Sequence, residues 1–223
     1  GVGHSNPINT PLKLNNNRYK KIHAGSLDSF LMIDSNDFLW GMGYNDGGRL
    51  GLPSSQKIVT SLTKIGNDKW KDVLQDGNIS YGIKIDGTLW KWGVGLSSPE
   101  KIGTSTDWNK FGGRVGTVFI IKNNGYLWGF GDNIEGELGL GTTTYVHNPT
   151  LISNYSYKHV FNEGWSSTFA IRDDGTLWAT GANDYGQLGL GHKNKVNKFT
   201  KVDNGKWISA VSYGGVSFAI KGR

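Results

Sequence analysis

Residues 174–191 read DGTLWATGANDYGQLGLG, and edited copies of this stretch occur three more times in the chain. The copies begin near residues 36, 86 and 124, and each contains a Leu-Trp pair. The four tryptophans of these pairs stand at 40, 90, 128 and 178, so they are 50, 38 and 50 residues apart. A repeat of this period is typical of solenoids and propellers, in which each unit buries its faces on its neighbours.

A hairpin is predicted in front of each Leu-Trp pair. In three copies an Asp-Gly or Asn-Gly pair separates a short apolar run from the Leu-Trp segment, and this is a strong hairpin signal. We therefore predict that residues 169–172 pair with residues 176–178. In the same way, residues 81–84 and 119–122 are predicted to pair with the Leu-Trp segments that follow Asp86-Gly87 and Asn124-Gly125. The first copy has Asn36-Asp37 at the turn, where a type I′ turn would need positive φ at both residues.

Each unit has the strand content of one propeller blade. Units open with an aromatic residue on an alternating strand, near residues 19, 70, 108, 157 and 207. After the Leu-Trp strand, three units continue with a Gly-x-Asn-x-x-Gly-x-Leu-Gly-Leu turn and an outer strand, whereas unit two is abbreviated. A unit therefore offers about four short strands. There are five openings but four Leu-Trp strands.

The two ends of the chain carry complementary parts of one unit. Gly1–His4 and Tyr19 match residues 189–192 and Trp207 at a constant offset of 188. We predict a single all-β domain over residues 1–223, a β-propeller of about five blades whose closing blade is built from both termini, with residues 1–18 completing the last blade. That blade has no Leu-Trp strand of its own, so it has three strands or is completed by another chain.

These motifs resemble the regulator-of-chromosome-condensation repeat family of β-propellers, most closely at residues 174–191 and in units one and three. The resemblance implies four-stranded blades closed by pairing of the termini, although typical members have seven blades. It also implies several functions: nucleotide exchange on a small GTPase with nucleosome binding, light sensing, β-lactamase inhibition, and scaffolding. Light sensing would need tryptophans in several adjacent glycine loops, and here only Trp165 stands in one.

Composition excludes several kinds of chemistry. The 223 residues are 36% hydrophobic and include no cysteine, which excludes disulfides, thiolate catalysis and cysteine-ligated metals. No run approaches the roughly 20 apolar residues of a membrane span, and no signal peptide is recognised. The histidines form no metal-binding pair, and residues 132–137 lack the spacing of a calcium loop. We expect no cofactor, no metal site and no enzymatic activity.

The net charge of +6 and the isoelectric point near 9.3 favour acidic partners in general. The lysines cluster on predicted outer strands, where they protect sheet edges. No RNA-binding stacking motif accompanies them. Nucleic acid is therefore not the expected partner.

The residues that the repeat does not require are the candidates for binding. Aromatic and arginine side chains on rigid turns are typical anchors of protein interfaces, and five stand on variable turns: Tyr44, Trp92, Arg114, Trp165 and Tyr185. We predict a non-catalytic recognition or scaffold module that binds a protein partner through its loop face. It would belong to a phage or bacterial protein at an extracellular or virion surface, as a monomer or a strand-completing oligomer.

Two alternatives stay open. Trp92, Trp165 and Tyr185 could form a carbohydrate-binding or receptor-binding head, because aromatic rings also hold sugars. A nucleotide-exchange or nucleic-acid-binding propeller would instead show retention on DNA that depends on salt.

Overall fold

The computed structural model describes residues 13–25, 28–96, 98–114, 116–162, 166–213 and 215–222. In this part of the chain the protein is all-β, with antiparallel strands and a single short 3₁₀ turn at Asp46–Gly48. The strands are β1 Tyr19–Ala24, β2 Ser29–Asp34, β3 Phe38–Tyr44, β4 Ile58–Asp76, β5 Ile79–Lys84, β6 Leu89–Gly93, β7 Glu100–Ile102, β8 Trp108–Arg114, β9 Thr117–Lys122, β10 Tyr126–Gly131, β11 Val146–Phe161, β12 Ser167–Arg172, β13 Leu177–Gly181, β14 Val196–Lys201, β15 Trp207–Tyr213 and β16 Val216–Lys221. All five predicted openings lie in strands: three begin β1, β8 and β15, and residues 70 and 157 lie inside the long strands β4 and β11.

The first sheet has seven strands in the order β1 to β7. Its long strand β4 serves two neighbours: residues 58–69 pair with β3, and residues 70–76 pair with β5. The sheet therefore consists of two four-stranded sets joined through one continuous strand. The second set ends in the three-residue β7, as expected from the abbreviated unit two.

The second sheet repeats this plan with strands β8 to β14. Residues 146–156 of β11 pair with β10, and residues 157–161 pair with β12. Strands β15 and β16 form a separate two-stranded sheet. The described residues thus contain four four-stranded sets and one hairpin.

The predicted hairpins are confirmed, with the same register in all four sets. An isoleucine near the end of the second strand lies opposite the leucine of the Leu-Trp pair: Ile33 opposite Leu39, Ile83 opposite Leu89, Ile121 opposite Leu127, and Ile171 opposite Leu177.

The turn type differs from the expectation for the first copy. Asp37 has a φ of 73°, but Asn36 does not have positive φ, so the turn is not type I′. In all four sets a backbone N–H donates to the carbonyl three residues earlier, for example Asp37 to Asp34 at 3.1 Å and Gly87 to Lys84 at 2.9 Å. Because this turn needs only one residue in the left-handed region, Asp37 can replace glycine at a modest cost.

A backbone hydrogen bond links each turn to the opening of the next set. The N–H of Trp70 donates to Asp37 O at 2.8 Å, and Trp207 donates to Gly175 O at 2.8 Å. Trp108 and Tyr157 make the corresponding bonds to Gly87 and Gly125. The aromatic that opens each unit is therefore fixed by the preceding hairpin.

The chain forms two compact units, Gly1–Lys110 and Phe111–Arg223. The first has a core cluster that includes Leu31, Ile33, Leu39, Trp70 and Trp92. The second has two clusters, centred on Phe119 with Leu127 and on Phe169 with Leu177. The single-domain prediction stays a prediction.

Candidate functional site

The turns after the Leu-Trp strands are each organised by a buried asparagine. Asn45, Asn133 and Asn183 are fully buried. The Oδ1 atom of each accepts the backbone N–H of the residue five positions later, at 2.9 Å in all three turns. Each Nδ2 donates to backbone carbonyls farther along the loop, such as Gln56 O at 2.9 Å and His192 O at 2.8 Å. One amide thus closes a loop of about ten residues, and the turn holds its shape without strand pairing.

A second buried side chain supports each turn four residues after the asparagine. In the third set Glu137 accepts the N–H of Glu135 at 2.9 Å, and in the fourth Gln187 accepts the N–H of Tyr185 at 3.0 Å. Burial raises the pKa of the Glu137 carboxyl, in spite of its hydrogen bonds. In the first set the equivalent residue is Arg49, which is also buried and donates to Asp46 O at 3.1 Å.

Exposed side chains lie next to these supports: Ile134 and Tyr185 stand between them, and Tyr44 directly precedes Asn45. Tyr44 and Ile134 are exposed, and the side chain of Tyr185 is 68% exposed. The guanidinium of Arg49 lies 5.0 Å from the centre of the Tyr44 ring. The Tyr185 ring packs against Gly215, where a Cβ would come within 2.9 Å of it. The structure therefore exposes two of the predicted residues, Tyr44 and Tyr185, and adds Ile134.

Trp92 needs a correction, because the structure places it in the core. Its side chain is 3% exposed, its ring lies 5.3 Å from that of Trp70, and its indole N–H donates to Arg49 O at 3.1 Å. It packs against Gly51 and so fills space beside the turn of the first set. A side chain in this position cannot anchor a partner.

The structure does not describe the side chains of the other two predicted residues, Arg114 and Trp165. Arg114 is the last residue of β8, and its side chain lies outside the described part of the structure. Trp165 is also outside the described residues.

The repeated tryptophans are held by the hairpins themselves. The indole N–H of Trp90 donates to Thr88 Oγ1 at 2.8 Å, and that of Trp178 donates to Thr176 Oγ1 at 2.9 Å. A cation six residues earlier covers the ring in three sets: Lys84 at 4.0 Å from the Trp90 ring, Lys122 at 4.7 Å from Trp128, and Arg172 at 3.6 Å from Trp178. Such contacts stabilise a partly exposed indole.

The first set departs from this rule. The residue six positions before Trp40 is Asp34, whose carboxylate accepts the indole N–H at 2.8 Å and the backbone N–H groups of Asn36 and Phe38. Burial alone would raise the pKa of Asp34, but these hydrogen bonds lower it below its ordinary range. Trp40 and Asp34 line a polar pocket of about 340 Å³ together with Arg18 and Lys64.

Across the described residues, no three histidine, aspartate or glutamate side chains come together as a metal site would require. Within the same residues, no helix has the length and apolar character needed to cross a membrane.

Comparison with known proteins identifies the repeats. Residues 124–162 and 174–217 match the family model described as "Regulator of chromosome condensation (RCC1) repeat". Human E3 ubiquitin-protein ligase HERC2 is 27% identical over 167 residues, which are 66% of this chain. The chain spans 3% of the length of that relative.

Solved structures share the architecture. Human WBSCR16 superposes with a TM-score of 0.75 at 18% identity, over 93% of this chain and 58% of the other. Prp20p from Saccharomyces cerevisiae gives a TM-score of 0.75 at 17% identity, over 95% of this chain and 58% of the other. At these identities the likeness shows the fold alone.

Proposed function

Because two segments of the chain match the RCC1 repeat model and the fold is shared with Prp20p, we propose that the chain is an RCC1-like, non-catalytic protein-binding module that recognises its partner through the turns after the Leu-Trp strands. One observation carries the proposal. Each turn is fixed from within by a buried asparagine, and each holds at the surface an apolar or aromatic side chain that the fold does not need, namely Tyr44, Ile134 or Tyr185. Rigid loops of this kind lose little conformational entropy on binding.

The charge of the turns differs between the sets. The third turn carries Asp132 and Glu135, whereas in the first turn Lys57 lies 3.9 Å from Asp46, and the whole chain carries a net charge of +6. The carboxylates of the third turn repel phosphates, so this turn suits a protein with basic and apolar residues better than it suits nucleic acid. Prp20p, which shares the fold, has binding properties toward Gsp1p and histones, and we extend protein binding, without those partners, to this chain.

The blade count belongs to the same proposal. We interpret the four four-stranded sets as four blades and β15 with β16 as the start of a fifth, which residues 1–18 would complete. The constant offset of 188 between the two ends supports this closure. We also propose a phage or bacterial surface location, for which the Asn-, Lys- and Ile-rich composition is the support.

The carbohydrate alternative loses one of its three aromatic residues, because Trp92 is in the core. Tyr185 is exposed, and Trp165 lies outside the described residues. The exposed side chains of the turns include the apolar Ile134, which suits a protein surface better than a sugar ring. We therefore retain protein binding as the proposed function.

Site-specific photo-cross-linking tests the proposal. A photoreactive phenylalanine analogue is placed at position 44, 134 or 185 of the full chain, and cells of the source organism or its host are irradiated. We expect the same protein to be cross-linked from these turns and not from position 155, where Tyr155 is exposed on β11. Cross-links that are equal at position 155, or that contain only nucleic acid, would refute the proposal.

A further inference from the structure

The guanidinium of Arg49, in the turn of the first set, is a buried charge without a counter-charge. The residue is 2% exposed. Its Nε donates to Asp46 O at 3.1 Å, whereas its Nη1 is buried and has no hydrogen-bond partner among the described residues. The carboxylate of Asp46 lies 3.9 Å from Lys57 and forms no ion pair with Arg49. Buried charges in proteins are normally paired, so an anion is missing at this place.

Other buried polar groups of this kind are satisfied within the chain. Asp72 is 1% exposed and forms an ion pair with Lys21. In the third and fourth sets the position of Arg49 is occupied by Glu137 and Gln187, and each of these side chains accepts a backbone N–H. A guanidinium has donors only, so Arg49 cannot take over that role in the first turn.

The backbone of Arg49 is fixed against the second set. Its carbonyl accepts Ser80 Oγ at 2.6 Å and the indole N–H of Trp92 at 3.1 Å. Two residues earlier, a Cβ on Gly47 would come within 2.2 Å of a methyl group of Val94. The point from which the arginine side chain extends is therefore held by the neighbouring set, and a preorganised side chain loses little entropy on binding.

The guanidinium lies against the exposed ring of Tyr44. The ring centre is 5.0 Å from Cζ of Arg49, and Tyr44 is 38% exposed. A cation–π contact uses the face of a guanidinium, whereas its N–H groups point outward in the plane of the group. Because such a contact is weak at an exposed site, rotation of the Tyr44 side chain gives a ligand access to Arg49 at little cost.

The charges of the first turn favour an anion. The carbonyl of Lys57 accepts the N–H of Asn45 at 2.7 Å, which ties Lys57 to the turn. The side chain of Lys57 is 72% exposed. The turn therefore presents two cations, Arg49 and Lys57, against the one carboxylate of Asp46, and this balance attracts negative groups.

We propose that Arg49 binds a carboxylate, supplied by an aspartate or glutamate side chain of the protein partner. The inference rests on the proposed function for the source of the carboxylate and names the chemistry that the first turn recognises. The carboxylate accepts the unpaired N–H of Nη1 as the Tyr44 ring turns aside, and it neutralises the buried charge. Guanidinium and carboxylate match each other in shape and form short, charge-assisted hydrogen bonds.

The repeat itself supplies the variant that separates a binding arginine from a structural one. Glutamine occupies the same place in the fourth set, as Gln187, so Arg49→Gln places a residue that this kind of turn accommodates. The substitution removes a buried charge that has no partner in the free chain. Thermal unfolding is therefore expected to give a Tm equal to that of the wild type or higher.

Binding is measured on the isotope-labelled full chain by NMR. The probe is N-acetyl-glutamate α-amide, which carries one side-chain carboxylate, and N-acetyl-glutamine α-amide is its neutral match. The carboxylate is expected to shift the Arg49 Nε–H and Tyr44 amide resonances in a saturable way, with an affinity of about 1 mM.

Variants assign this binding to the guanidinium. Followed at the Tyr44 amide, Arg49→Gln is expected to weaken the affinity about tenfold or more. Arg49→Lys keeps the charge but not the planar fork, and should weaken it less. Lys57→Gln removes the exposed cation of the same turn and is the matched control, with a change of less than about twofold.

The proposal is wrong if the neutral amide shifts the same resonances equally, because Arg49 would then select no charge. It is also wrong if Arg49→Gln lowers the Tm by more than about 2 °C, which would make the arginine structural. Saturation by inorganic phosphate without saturation by the glutamate derivative would replace the carboxylate with a phosphoryl group.

These measurements use the purified chain and small molecules, whereas the proposed function is tested by cross-linking to a partner. A chain that binds the carboxylate but cross-links no protein would contradict the proposed function alone. Failure of the carboxylate to bind would contradict only the inference on Arg49.

Discussion

At the scale of single residues, Asp34 shows how one exception to the repeat is stabilised. Its carboxylate accepts three N–H groups, from Trp40, Asn36 and Phe38. Asp34→Ala leaves these donors without a partner, and we expect it to lower the free energy of unfolding by about 2 kcal/mol at pH 7. Asp68→Ala, which removes an ion pair between an exposed aspartate and the partly buried Lys84, should cost less, about 1 kcal/mol at most.

The pH dependence gives a second check on Asp34. Its pKa in the folded protein is lower than the ordinary value of 3.8. The stabilisation is therefore present above that ordinary value and is lost as the pH falls through the folded-state pKa. Chemical denaturation at a series of pH values should show the difference between wild type and Asp34→Ala narrowing in acid. A difference that stays constant would mean that the carboxylate charge is not involved.

Glu137 behaves in the opposite sense. Burial raises its pKa above the ordinary 4.5, so the protonated form is favoured more strongly in the folded state than in the unfolded state. The contribution of Glu137 to the stability of the folded state is complete below the unfolded-state pKa and declines as the pH rises through the folded-state pKa. Glu137→Gln keeps the acceptor for Glu135 and removes the charge, so we expect a higher Tm at pH 7 and no gain below about pH 4.5.

The fourth set supplies a matched control for this substitution. Gln187 occupies the same position and accepts the N–H of Tyr185. Gln187→Glu should lower the Tm at pH 7, because it places a carboxylate in a buried turn. If both substitutions shift the Tm in the same direction, burial of charge is not the cause.

At the scale of elements, Trp92 replaces a missing turn. Unit two lacks the long turn after its Leu-Trp strand, and Trp92 on β6 packs between Trp70 and the first set instead. Trp92→Ala is expected to cost about 3–5 kcal/mol, the range for large aromatic residues in cores. Tyr185→Ala, at an exposed residue, should change the stability by less than about 0.5 kcal/mol. Urea unfolding measures both, and a small effect at Trp92 would contradict its place in the core.

At the scale of the whole molecule, the proposed closure makes residues 1–18 part of the last blade. Deletion of residues 1–12 should then lower the Tm and increase hydrogen exchange in β15 and β16 more than in β2 and β3. The expected cause is loss of a strand from one sheet, since each blade is stabilised by its neighbours. Removal of Gly222 and Arg223 is the control. Equal exchange in all strands after the deletion would contradict the closure.

The amino-acid sequence by itself determined the hairpins, the five strand openings and the mismatch between five openings and four Leu-Trp strands. These features are local: an Asp-Gly turn and an isoleucine opposite a leucine are set within about ten residues, so pattern and turn chemistry suffice to predict them. The exposed Tyr185 was found in the same way, because it stands at a turn position that no repeat rule specifies.

Only the tertiary structure decided which conspicuous side chains are exposed. Trp92 looked like a surface anchor, but its indole donates to a carbonyl 43 residues away, and nothing in its local sequence shows that contact. The asparagine of each turn looked like a turn residue, and the structure makes it the buried centre of its loop. Phe218 and Ile220 carry the pattern of a covered strand, yet they are exposed because burial depends on the neighbouring strand and not on the residues themselves.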